Sequence, residues 1–178
     1  YLYSLVGLFS DSNGAYIQLQ KVGVQNFIFA LRSNSTSGGY TLDDDVNVSA
    51  DIAQIGAGQY YEPTDRAGDM GGHSFTIQGD NKTIDGDTLG GITVQGNKAL
   101  YIYNTTLTNF STALINNGSL YLNGVTFTSN SVADVMNKGT LTLDGINEFN
   151  GAITDDVTTR SGSITIESGT TTFKDSVE

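Results

Sequence analysis

Asn117-Gly118-Ser119-Leu120-Tyr121-Leu122-Asn123-Gly124-Val125-Thr126-Phe127 is answered by Lys138-Gly139-Thr140-Leu141-Thr142-Leu143-Asp144-Gly145-Ile146-Asn147-Glu148-Phe149. A third version runs Ser161-Gly162-Ser163-Ile164-Thr165-Ile166-Glu167-Ser168-Gly169-Thr170-Thr171-Thr172-Phe173. Apolar and polar residues alternate within each phrase, and a period of two specifies strands. Asn-Gly and Asp-Gly ordinarily announce a hairpin. A hairpin leaves the fixed recurrence unexplained, whereas a corner between two strands of one coil explains both. Gly and Asn supply the positive φ that such a corner needs.

Working outward, Val94, Ile115, Met136 and Val157 are spaced by 115 − 94 = 21, 136 − 115 = 21 and 157 − 136 = 21. Leu100, Leu120, Leu141 and Ile164 step by 120 − 100 = 20, 141 − 120 = 21 and 164 − 141 = 23. Recurrence at this length dictates stacked coils, with turns between fixed strands varying by a residue or two. Both sets are expected to form columns buried against their copies above and below. One coil cannot bury its own apolar face, so the stack needs several neighbours and protected ends. Asn116 and Asn137 also recur at 21, which predicts a ladder of hydrogen-bonded amides at a bend.

Composition narrows the class. The 178 residues include 22 Gly, one Pro, no Cys and no Trp, and 38% are hydrophobic, enough for one domain with a real core. Rich in Gly, Thr and Asn and nearly devoid of helical periodicity, the chain reads as all-β. Without cysteine there are no disulfides and no thiolate metal sites, a usage compatible with an exported microbial protein. Eight Lys plus Arg against nineteen Asp plus Glu give a net charge of −11, which makes nucleic acid a poor partner and suits solubility in a salty exterior. No apolar run approaches the ~20 residues that span a bilayer, and no signal peptide is visible. If the protein is exported, its signal has been removed from this sequence.

Three zones follow. Residues 1–38 do not fit the recurrence: Tyr1 to Phe9 and Ala15 to Leu31 are apolar and β-prone around a Ser-Asp-Ser-Asn-Gly turn. They predict strands that cap the N-terminal end of the stack, or that offer Tyr1 to Phe9 or Asn26 to Leu31 to a neighbouring subunit. Residues 39–178 form the coil stack, interrupted from Asp51 to Gly72 by a Gly-rich, polar segment with the one proline, Pro63. That segment is expected to project as a loop carrying Tyr60 and Tyr61, aromatics suited to stacking on sugars or side chains or to packing back onto the coil. His73 to Glu178 is the stack proper, with units at Phe75 to Gly79, Lys82 to Gly86 and Ile92 to Gly96 making one coil of three sides.

Lys82-Thr83-Ile84-Asp85-Gly86, Asn117 to Leu122 and Val125-Thr126-Phe127-Thr128-Ser129-Asn130 resemble the phrases of right-handed parallel β-helix proteins. The nearest likeness is to secreted adhesin-like passengers, including autotransporters and polymorphic outer-membrane proteins. Phe127-Thr128-Ser129-Asn130 fits the Phe-x-x-Asn element of the latter. Their Gly-Gly-Ala-Ile element is missing, and Phe149-Asn150-Gly151-Ala152 echoes it only in part. The resemblance spans roughly residues 39 to 175. It implies a surface-exposed or secreted protein that adheres or assembles, and it carries over no catalytic residue.

Parallel β-helices also house polysaccharide lyases and glycosidases, which need clustered carboxylates, usually with Arg or Lys nearby. Asp155-Asp156 is the one adjacent acidic pair on the coil body, and Asp85 and Asp87 flank a turn glycine, where Asp is favoured for backbone reasons. His73 stands alone, and Arg32, Arg66 and Arg160 form no catalytic signature. For calcium, Asp43-Asp44-Asp45 offers oxygen ligands, and Asp85 to Gly91 resembles one imperfect copy of the glycine-aspartate repeats of secreted toxins. Those repeats bind because successive copies share each ion, so solvated turns are favoured here. Asn34, Asn47, Asn81, Asn104, Asn109 and Asn117 match Asn-x-Ser/Thr; at bends, Asn104 and Asn117 are the better acceptors if the source glycosylates asparagine.

The sequence therefore predicts an all-β, right-handed parallel β-helix of ~21-residue coils with an N-terminal β cap. The expected role is a non-enzymatic, cofactor-free structural and adhesive module, extracellular or on the cell surface. Expected partners are copies of itself, other surface proteins or glycans, without membrane insertion by this segment. The main alternative is a subunit of an extracellular filament, a homopolymer joined through N-terminal strands and coil ends; a polysaccharide lyase or glycosidase is the remaining one.

Overall fold

The structure, a computed structural model, describes residues 2–11, 14–23, 26–33, 37–55, 64–155 and 161–178, the first two stretches as backbone only. β1 (Leu2–Asp11) and β2 (Gly14–Gly23) open the chain, followed by α1 (Phe27–Ser33), β3 (Ser37–Thr41), β4 (Val46–Asn47), α2 (Val48–Ile55) and β5 (Arg66–Asp69). The coils continue with β6 (Ser74–Asp85), β7 (Gly90–Val94), β8 (Ala99–Thr108), β9 (Thr112–Asn116), β10 (Ser119–Thr128) and β11 (Ala133–Asn137). β12 (Thr140–Asp144), β13 (Ile146–Phe149), β14 (Ile153–Thr154), β15 (Ser163–Ile166) and β16 (Thr170–Phe173) complete them.

β1 and β2 pair antiparallel with each other. From β3 onward every described pairing is parallel and joins strands one coil apart, β8 between β6 and β10, for example. That is the right-handed parallel β-helix expected, a solenoid of about four turns. Each coil has three sides. The first side runs through β3, the front of β6, β8 and β10, then β12 and β15; the second through β4, the backs of the same long strands, β13 and β16. The third side is the five-stranded sheet of β5, β7, β9, β11 and β14.

The corner between the first two sides is where Asn-Gly and Asp-Gly fall. Asn104, Gly124, Gly145 and Gly169 occupy it in successive coils with φ of 48°, 70°, 67° and 83°. The chain turns there without reversing, the corner that the recurrence predicts. At the corner between third and first sides, glycine answers a different need. A Cβ on Gly139 would sit well inside contact distance of the Gly118 carbonyl oxygen, because successive coils approach backbone to backbone there.

Leu100, Leu120 and Leu141 stack in register with Ile164, as the 20–21–23 spacing predicts, and the three leucines are buried. Each contributes about 1.5–3 kcal/mol relative to an exposed side chain. Phe127, Phe149 and Phe173 extend the core as a stack, with centroids 4.9 and 5.3 Å apart and ring planes within 16°. The other column is corrected. Val94 pairs with Asn116, not Ile115, and Met136, paired with Ile115, meets Thr154 on the next coil rather than Val157, which lies outside the described residues. The buried third-side column is Ile92, Leu114, Val135 and Ile153; Leu114 and Val135 stand one residue before Ile115 and Met136, and strand alternation turns those two, half-buried, to the opposite face. The coil from Ile92 to Leu114 is 114 − 92 = 22 residues long, which moves the partner of Val94 from Ile115 to Asn116; Ile115 and Met136 keep the expected 21, and the next step, Met136 to Thr154, is 154 − 136 = 18.

Before the stack, β structure is present in the β1–β2 hairpin, but the piece packed on the first coil is a helix. Asn26 to Leu31 was expected as a strand. Instead Asn26 caps α1, its Oδ1 accepting from Phe29 N at 2.9 Å, and Phe27, Ile28 and Leu31 bury against β3, β5 and α2. Arg32 donates to the carbonyls of Arg66 and Ala67, each at 2.8 Å, tying the helix to β5. The segment expected as a loop from Asp51 to Gly72 holds most of α2 and all of β5, with residues 56–63 outside the described residues.

Candidate functional site

With the interior filled, the chain meets other molecules through its outward positions. On the first side these alternate with the leucine column: Tyr101 and Tyr103 on β8 flank buried Ile102, and Tyr121 on β10 lies between buried Leu120 and Leu122. Tyr101 pairs in register with Tyr121, and Tyr103 with Asn123. The Tyr121 ring centroid lies 6.0 Å from that of Tyr101 and 5.7 Å from that of Tyr103, tilted by 45° and 46°. Tyr101 is 37% exposed, and the other two rings are half-buried. Aromatic and β-branched side chains suit a pleated surface, but tyrosine also carries a polar tip that makes it a recurrent contact residue.

Around the rings the surface is polar. Thr76 and Thr142 continue the Tyr101–Tyr121 column, while Gln78, Asn123 and Asp144 share a column with Tyr103. The Asp144 carboxylate accepts from Tyr121 Oη at 2.7 Å and Asn123 Nδ2 at 3.0 Å on one oxygen. Its other oxygen accepts from Gly145 N at 2.8 Å and from the Ser168 hydroxyl. Led by the Ser168 and Tyr121 hydroxyls, these donors hold Asp144 below the usual carboxylate range. The same hydrogen bond to Asp144 raises the Tyr121 phenol, so the hydroxyl stays protonated and its ring is anchored from one end.

The residues singled out from sequence lie elsewhere. Asn104 and Asn117 are exposed, Asn104 at the first corner and Asn117 at the bend after β9. Tyr60 and Tyr61 lie outside the described residues. Asp43, Asp44 and Asp45 are exposed, Asp45 accepting from Thr83 N at 2.8 Å. Asp85 accepts from Asp87 N and from Asn109 Nδ2, which ties successive turns together. His73 is exposed, and its carbonyl accepts from Ala99 N. Asp155 accepts from Gly162 N at 3.3 Å, and its neighbour Asp156 lies outside the described residues. Among the described residues no group of three or more His, Cys, Asp or Glu is placed to hold a metal ion.

The Phe-x-x-Asn element has a structural use. Asn130 Oδ1 accepts from Phe110 N at 3.0 Å, and its Nδ2 donates to Asp134 at 2.8 Å. On the next coil Asn150 Nδ2 donates to the Phe127 carbonyl at 2.6 Å. The tyrosine cluster was not singled out from sequence, although its signal was there: Leu-Tyr-Ile-Tyr and Leu-Tyr-Leu put every Tyr opposite a buried aliphatic. Compared with models of known protein families, with curated proteins and with solved structures, the chain matches none.

Proposed function

We propose that this chain is a non-enzymatic structural and adhesive module of a secreted or surface-displayed protein, a short rigid rod whose outward faces make the contacts. The adhesin-like reading of its phrases belongs to this proposal. The observation that carries it is the outward tyrosine cluster of β8 and β10, in which the Tyr121 ring meets both Tyr101 and Tyr103 on strands held by buried columns. Binding residues fixed on rigid strands lose little conformational entropy on contact, which favours recognition.

Beads coated with the chain and perfused over mucin, collagen and cultured epithelial cells test this. Retention on at least one surface, reduced by Tyr101→Ala with Tyr103→Ala, is expected; equal washout of coated and bare beads contradicts it.

The filament reading draws on a separate observation, the β1–β2 pair outside the coil stack. Ile164, Ile166 and Val177 are 37%, 53% and 47% exposed, whereas their counterparts Leu141, Leu143 and Ile153 are buried. β15 and β16 each have a described partner on one side only. The first coil is packed under α1. A filament then depends on β1–β2, which pair only with each other among the described residues. Sedimentation of the chain with and without residues 1–25 separates the two: polymers lost on deletion support a filament, and monomers in both samples contradict it.

A further inference from the structure

Resting on the adhesive reading, we infer that the face built by Tyr101, Tyr103 and Tyr121 binds an uncharged polysaccharide. A pyranose ring has a face of C–H groups and a rim of hydroxyls. The first stacks on an aromatic ring, and the second needs both donors and acceptors around it. Here the Tyr121 ring lies within 6.0 Å of both Tyr101 and Tyr103, and the positions beside the three in the strand register are Thr76, Thr142, Gln78 and Asn123. Hydroxyls and amides supply donors and acceptors without charge.

Charge selects among glycans. The two columns that hold the tyrosines contain no Lys or Arg from β6 to β12, and the one ionised group there, Asp144, already accepts from Tyr121, Asn123, Gly145 and Ser168. An anionic polysaccharide would meet no counter-charge and would approach a chain of net charge −11. Patch size selects glycan over protein. A protein partner needs on the order of 800 Å² per side around a dry core. Three rings bordered at once by polar side chains offer a small apolar centre and a wet rim, the proportions of a sugar face. The ring of Tyr121, held through its hydroxyl at 2.7 Å, is pre-set for contact.

Native gels cast with laminarin, hydroxyethylcellulose, yeast mannan or soluble starch, beside one with polygalacturonate, provide the test. At least one neutral polymer is expected to retard the chain, with polygalacturonate leaving its mobility unchanged. Tyr101→Ala with Tyr103→Ala should weaken retardation by about tenfold or more in Kd, the scale of a lost aromatic anchor. Tyr101→Phe with Tyr103→Phe should keep most of it, and Thr172→Ala on the second side all of it. Circular dichroism melts check folding, and Tyr101→Thr with Tyr103→Thr, a strand-compatible pair, replaces the alanines should they unfold. Unchanged mobility in every neutral gel, equal retardation by polygalacturonate, or full retardation of the folded ring-less variants overturns the assignment. Bead retention without any neutral-gel retardation overturns the carbohydrate partner alone, whereas loss of both takes the adhesive reading with it.

Discussion

Asn116 and Asn137 show how much of this stack rests on single buried amides. Asn116 is fully buried; its Oδ1 accepts from Gly118 N at 3.1 Å, and its Nδ2 donates to Asn137 Oδ1 at 2.8 Å and to the Thr140 carbonyl at 3.0 Å. Asn137 passes the pattern on to the Ser163 carbonyl at 3.1 Å. Asn116→Ala strips partners from buried groups on two coils and should cost about 1–3 kcal/mol in urea unfolding; a change within error would mean the ladder is idle. This ladder was legible because both residues recur at the coil length. Asp134 was not legible, since nothing in the sequence marks it as buried. It accepts from Asn130 Nδ2 at 2.8 Å and Gly151 N at 2.7 Å, and burial raises its carboxyl against the pull of those donors. The folded chain therefore holds this proton more tightly than the unfolded chain, a contribution complete below the ordinary carboxylate range and lost as pH rises through the folded value. Stability of wild type relative to Asp134→Asn should shift in favour of wild type as the pH is lowered, in urea titrations across the acid range. A shift the other way would reverse the sign.

Among the elements, α1 departs most from what its sequence suggests. Phe27-Ile28-Phe29 is β-prone by propensity, and the capping signal of Asn26 is short, yet a helix forms because one turn delivers Phe27, Ile28 and Leu31 together onto the first coil. Tertiary burial outweighs propensity here. Leu31→Ala should cost about 2–5 kcal/mol in thermal or urea unfolding if α1 covers the end of the stack; a loss under about 0.5 kcal/mol, typical of surface positions, would mean it does not. Coil strands were easier to foresee, since alternation and corner residues agree. The tyrosine cluster sits between these cases. Period-two patterning puts Tyr101, Tyr103 and Tyr121 on the outward face, but only the register of β8 with β10 brings them into contact.

For the molecule as a whole, three sides, two kinds of corner and the leucine column follow from recurrence, whereas the second column holds from Ile115 to Met136 and slips at Val94, by one residue, and after Met136, by three. A 22-residue coil cannot be told from a 21-residue one when the residues on either side of the slip, Ile92 and Val94, are both apolar. The last coil also stands apart. Its strands continue the columns, and Phe173 packs on Phe149, yet Ile164, Ile166 and Val177 are exposed. All of this depends on Asn123-Gly124 being a corner between stacked strands rather than a hairpin turn. The chain has no cysteine, so pairs of thiols can be introduced on a clean background. Thr106 and Thr126 are register partners on adjacent coils, which places their backbones about 4.8 Å apart. A hairpin at Asn123-Gly124 would instead pair Tyr121 with Thr126. Dibromobimane, which fluoresces only on bridging two close thiols, should therefore label Thr106→Cys with Thr126→Cys and leave Tyr121→Cys with Thr126→Cys dark. The opposite pattern would contradict the solenoid.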